Sequence, residues 1–152
     1  MSELLGELRD SAQQVVSDVG VAAKESDLWP LIGELGWLLS SVPETLGGLE
    51  LGLSGSCILH TELGRGLSTV PFLSASLVLD AVVQGSAKNK TELIAQITAG
   101  DCVTVSLTET CELKLDGEIL SGKVMVVPSA DKASNLLIYL DDCVALINLD
   151  QA

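Results

Sequence analysis

At 152 residues and 47% apolar composition the chain is of one-domain size and able to bury a core, which excludes disorder as the default. Its 21 acidic against 8 basic residues, a formal charge of −13, exclude a nucleic-acid or anionic-lipid surface, since both need clustered lysine and arginine. No run approaches the roughly 18 uncharged apolar residues of a membrane-spanning helix, and the acidic start Met-Ser-Glu-Leu-Leu-Gly lacks a signal peptide's cationic opening, so the expectation is a cytoplasmic protein that does not insert in a membrane.

Ser2 is placed to cap a first helix with Glu3 in its first turn, and Leu4, Leu8, Ala12, Val15, Val16 and Val19 share one face at helical spacing up to Gly20. Asp27 is expected to cap a second helix, with Pro30 tolerated in the first turn, where no N–H is needed, and with Leu28, Leu31, Ile32 and Leu35 buried. Gly36 stops it. In the following loop Val42-Pro43 forces extended backbone, and Gly47-Gly48 permits a sharp turn. Ser54 or Ser56 begins a third helix that Gly64 to Gly66 break. Pro71-Phe72 opens a fourth, running to Gly85, and Thr91-Glu92 a fifth, ending near Ala99-Gly100.

At Asp101 the pattern changes to period two. Cys102 to Leu107 reads as a strand, Glu112 to Asp116 and Glu118 to Leu120 as a hairpin about Asp116-Gly117, Gly122 to Val127 as a further strand stopped by Pro128, and Leu136 to Leu140 with Cys143 to Leu149 as a second hairpin. Helices followed by strands predict an α+β chain, an all-helical domain over 1–100 and a partial antiparallel β domain over 101–152 whose exposed edge needs a cover.

Cys57, Cys102, Cys111 and Cys143 lack paired short spacing and His60 has no partner histidine, so free, mostly buried thiols are expected, and no metal site. Arg65 is read as closing the C-terminus of its own helix, where a cation suits the dipole. His60 and Glu62, two apart on a helix, point to different sides and make no acid–base pair. Asp141-Asp142 reads as a solvated turn.

Three phrases stand in order: Gly33-Glu34-Leu35-Gly36-Trp37, then Pro43-Glu44-Thr45-Leu46-Gly47-Gly48, then Glu62-Leu63-Gly64-Arg65. Together they resemble the N-terminal domain of the acyl-CoA dehydrogenases. The resemblance continues through Leu107-Thr108-Glu109-Thr110, at the place of that family's Thr-Glu-Pro-like motif, and through Leu120-Ser121-Gly122-Lys123 to Ala130. It covers the front half of the family's architecture; the C-terminal helical domain, which carries the family's catalytic base, is not in these residues.

The resemblance implies an FAD-dependent dehydrogenation of an acyl-CoA thioester between Cα and Cβ. Leu107 and Thr108 would meet the flavin's polar edge, and Val126 and Val127 would pack against it. Three departures stand at those positions: Thr110 replaces the motif's proline, the Gly-Ser-Asp loop that follows it is deleted, and Val126 and Pro128 replace an aromatic and a threonine. Arg65 and Lys123 are the cations near matched motifs, a thin supply for the pyrophosphates of FAD and coenzyme A. The reading is part of an acyl-CoA dehydrogenase-like flavoprotein, with no turnover expected from this chain alone. It would work in a homo- or hetero-oligomer with another dehydrogenase-like chain. The alternative is a non-catalytic partner subunit or scaffold that has lost flavin binding. A free acyl-thioester carrier has no specific feature in its favour.

Overall fold

The computed structural model describes residues 2–106, 112–117, 119–140 and 142–149. They form two compact units, 1–100 and 101–152, helical and β respectively. In the first, α1 (Ser2–Val19), α2 (Glu25–Glu34), α3 (Gly52–Arg65), α4 (Phe72–Gln84) and α5 (Lys90–Thr98) follow one another, with short 3-10 turns at Trp37–Leu39 and Glu44–Leu46. Among the described residues no helix is long and apolar enough to cross a membrane.

Helix starts differ from the sequence reading: α1 includes Ser2 itself, α5 begins one residue early at Lys90 behind Asn89, and α2 and α3 begin earlier still against their expected starts. Helix α2 begins at Glu25 behind Lys24, which supplies no side-chain cap, while Asp27 sits in the first turn, where a negative charge suits the helix dipole. Pro30 is therefore the sixth helical residue, and lacking an N–H it leaves the Ser26 carbonyl without its usual donor. Helix α3 begins at Gly52, whose φ of +58° lets the chain turn into the helix ahead of Ser54.

The end of α3 also moves. Gly64 lies inside the helix, which runs to Arg65, and the left-handed residue that breaks it is Leu67, at φ +49°. Arg65 does not close the helix carbonyls. It turns back to Glu62, with Nη1 at 3.0 and 3.2 Å from the two carboxylate oxygens. The cation that does serve a helix end is Lys90, whose Nζ donates to the Val83 carbonyl near the close of α4 at 2.7 Å.

The core of this unit is built from Leu28 and Ile32 of α2, Leu59 and Leu63 of α3, Phe72, Ala75, Val78 and Leu79 of α4, and Ile94 and Ile97 of α5. Trp37 and Leu38, from the 3-10 turn, complete it. Of the faces expected for α1 and α2, Leu4 and Leu35 are instead exposed, each lying near an end of its helix. Trp29 ties α2 to the end of α5, its indole Nε1 donating to the Gly100 carbonyl at 3.1 Å.

In the second unit β1 (Val103–Val105), β4 (Asn135–Tyr139) and β5 (Val144–Asn148) make one sheet in the order β1-β4-β5, while β2 (Glu112–Asp116) and β3 (Ile119–Lys123) make a separate hairpin. Both hairpins are antiparallel, as read, but β1 pairs parallel to β4, a pairing that local turn signals do not encode. Strand β1 is buried at all its positions, Thr104 included, rather than alternating. The expected strand over Gly122 to Val127 stops at Lys123. Beyond it Val126, at φ +56°, lies outside the extended region, so the chain does not resume a strand there. Cys57 and Cys143 are exposed free thiols rather than buried ones, Cys57 lying off the buried face of α3 and Cys143 in the turn before β5; Cys111 lies outside the described residues.

Candidate functional site

The loop between α2 and α3 is held by backbone pairing rather than by side chains. Gly36, at φ +67°, ends α2 and starts the 3-10 turn that drives Trp37 into the core. The chain then leaves and returns alongside itself: Leu49 N–H donates to the Leu39 carbonyl, Glu50 to Val42 and Leu51 to Ser40, at 3.0, 2.9 and 2.8 Å. Gly47 takes φ +84° at the tip, and Gly48 donates to the Pro43 carbonyl at 3.0 Å. A Cβ on Gly48 would fall on the Val42 carbonyl and lie 2.5 Å from the Val42 Cβ, so the return path requires glycine here.

This closure leaves Leu49 and Leu53 at the loop's end with 51% and 79% of their surface exposed. The sequence reading named neither. A usable signal existed, since Leu53 does not share the face on which Ile58, Leu59 and Leu63 are buried. The two leucines offer an apolar surface beside a rigid turn.

His60 and Glu62 go to different neighbours. His60 packs edge-on against Phe72, ring centroids 5.0 Å apart, and burial holds its imidazole pKa below the ordinary 6.5. Glu62 is buried and takes hydrogen bonds from Arg65 and from Gln13 Nε2 at 3.3 Å. Because the unfolded His60 takes up its proton first, stability is full above pH 6.5 and falls as pH drops below it towards the lowered folded value. In a His60→Gln variant, the stability lost as pH falls below 6.5 is expected to be smaller than in the parent chain, measured by urea titrations at each pH; an unchanged loss would contradict it.

In the β unit, the predicted flavin-contact residues Leu107 and Thr108 lie outside the described residues. Val126 and Val127 follow β3 on a short segment, Val126 63% exposed and Val127 half-buried. Thr104, fully buried on β1, anchors this segment by donating its Oγ1 proton to the Pro128 carbonyl. A β-branched side chain held at positive φ and turned to solvent costs about 1 to 3 kcal/mol, a conformation that persists where the surroundings impose it. The exposed valine on an anchored segment fits the flat apolar face of a flavin ring. For pyrophosphate, the described residues of this segment offer the exposed Lys123. Among the described residues this segment thus offers an apolar surface of the kind a flavin ring would need and, for its phosphates, the cation of Lys123. Asp142 is exposed in the turn between β4 and β5, and Asp141 lies outside the described residues. Among the described residues no cluster of three or more His, Cys, Asp or Glu could hold a metal ion.

Comparison with known proteins accords with this arrangement. Residues 3–101, more than half of the chain, match the acyl-CoA dehydrogenase N-terminal domain. The chain is 31% identical over 147 residues to the acyl-CoA dehydrogenase FadE28 of Mycobacterium tuberculosis, covering 90% of this chain and 43% of that protein. It is 26% identical to the human mitochondrial short-chain specific acyl-CoA dehydrogenase, covering 95% of this chain and 40% of that one. Among solved structures, a variant of the Tcur3481-Tcur3483 steroid ACAD superposes with a TM-score of 0.83 at 27% identity, over 98% of this chain and 49% of that one. The acyl-CoA dehydrogenase of Geobacillus kaustophilus shares the fold, with a TM-score of 0.73 at 15% identity over 99% of this chain and 49% of that one. The chain belongs to the acyl-CoA dehydrogenase family, and it spans less than half the length of these relatives.

Proposed function

We propose that these residues are the front portion of an FAD-dependent acyl-CoA dehydrogenase that introduces a Cα–Cβ double bond into an acyl-CoA thioester. The observation that carries the reading is the likeness to the Tcur3481-Tcur3483 steroid ACAD variant over 98% of the chain at 27% identity. FAD, when bound, supplies the acceptor for the hydride that leaves Cβ. Val126 and Val127 would pack against its ring, with Leu107 and Thr108 at the polar edge that the family resemblance assigns them. The loop from Gly36 to the end of α3, with Leu49 and Leu53 exposed, would form one wall for the acyl group and keep water from it.

The proton from Cα has to reach a positioned carboxylate. By resemblance that group belongs to the C-terminal helical domain, which lies outside these 152 residues. The chain therefore acts together with that domain, in one polypeptide or in a partner. An oligomer with a second dehydrogenase-like chain suits the double name of the Tcur3481-Tcur3483 relative.

The test is a dye-reduction assay on acyl-CoA substrates, run on this chain alone and on this chain joined to or co-expressed with the remaining half of a related dehydrogenase. Turnover in the combination and none in the chain alone is the expected result. No turnover from a folded combination with any acyl-CoA would contradict the reading. Within an active combination, Val126→Asp would place a charge against the ring, and at least about a tenfold loss of flavin affinity is expected by fluorescence titration.

A further inference from the structure

Helices α1 and α3 enclose between them an open cavity of about 400 Å³ on the helical unit. Its lining includes Arg9 and Gln13 from α1 and Cys57, Thr61, Glu62 and Arg65 from α3. The chain has two arginines in all, and both are here. That placement stands out in a protein with 21 acidic residues, where a guanidinium has carboxylates available on nearly every surface.

The two arginines differ in occupation. Arg65 spends Nη1 on the buried carboxylate of Glu62, which Gln13 also holds, so that one face of the fork is fixed and its Nε and Nη2 donors remain over. Arg9 is exposed and makes no hydrogen bond or ion pair among the described residues. Arg9 and Arg65 against Glu62 leave the cavity with a net charge of about +1, in a surrounding field that is strongly negative. The Thr61 hydroxyl spends its proton on the Cys57 carbonyl at 2.7 Å, so the donors for a ligand are those of the arginines.

We infer that this cavity is a binding site for a small oxyanion, a phosphate or carboxylate group, held between the free Arg9 guanidinium and the unused edge of Arg65. Glu62 and Gln13 are positioning residues: they fix Arg65 so that its remaining donors are directed without loss of side-chain freedom on binding. Its ligand is an anion of a few heavy-atom shells at most, since about 400 Å³ admits a small molecule and no folded partner. The cavity lies on the α1-facing side of α3, and its anion would serve regulation or retention of a small acid rather than the hydride transfer itself.

The test is isothermal titration of the 152-residue chain with inorganic phosphate and, separately, with acetate, at constant low ionic strength set by chloride. Saturable binding of either probe, weakened about tenfold in Arg9→Gln, is expected, and the stronger probe tells whether the natural group is phosphate or carboxylate. Arg9→Gln is exposed and leaves the Glu62 pair intact, so loss of folding does not confuse the result; Arg65→Lys, which keeps the charge beside Glu62 but loses the fork, should also weaken binding. Absence of saturable binding by both probes, or binding unchanged in Arg9→Gln and Arg65→Lys alike, would overturn the assignment.

Discussion

Replacing Gly48 with alanine is expected to destabilise the helical unit by about 3 kcal/mol or more, a large share of an ordinary marginal stability. The added methyl meets backbone rather than a movable side chain: it would overlap the Val42 carbonyl and crowd the Val42 Cβ, itself in the buried core. Relief requires opening the pairing of Leu49, Glu50 and Leu51 with Leu39, Val42 and Ser40, which closes the loop. Gly64→Ala is the control from the same stretch. Its Cβ would meet nothing within 4 Å, and it lies inside α3, so alanine should stabilise by about 0.5 to 1 kcal/mol. Urea denaturation followed by circular dichroism measures both, and equal effects would contradict the loop geometry.

Trp37→Ala is expected to cost about 3 to 5 kcal/mol, the range for deleting a fully buried aromatic. Trp37 is 2% exposed and is the largest buried side chain of the chain, placed in the core by a three-residue turn with little stability of its own. The cavity left behind would be lined by helices that cannot collapse without shifting α4, against which this turn packs. A loss below about 1 kcal/mol in the same denaturation experiment would show that the turn is not seated where the structure has it.

The five helices were legible because apolar residues recur at helical spacing and glycines punctuate them. Gly36 and Gly85 stop helices where the sequence says they should. Glycine proved ambiguous at Gly64, an ordinary helical residue, because the local sequence Leu-Gly-Arg-Gly does not say which position must turn left-handed, and the turn fell on Leu67. Asp27 misled for a related reason: a good capping residue and a good first-turn residue look alike, and the helix took the second use.

The hairpins were legible from Asp116-Gly117 and the apolar runs about Asp142, but the parallel β1–β4 pairing joins residues some thirty apart and leaves no local mark. Val126 could not be foreseen at positive φ, because a β-branched residue favours the extended backbone expected there. Of the candidate site, the family phrases located the loop and the segment at Val126 and Val127. Leu49 and Leu53 became visible as surface only once the burial of α3 was known. The gathering of Arg9 and Arg65 depends on how α1 lies on α3, through a contact so close that Gly66 has no room for a Cβ against Val16.

The visible absorption spectrum and intact mass of the protein purified from its native host, with whatever copurifies, test the central claim most directly. Flavin bands on a longer polypeptide containing these residues, or on a complex with a second dehydrogenase-like chain, are the predicted result. A folded, colourless species with the mass of these 152 residues alone would contradict it, and would leave a protein that keeps the family's fold without its cofactor.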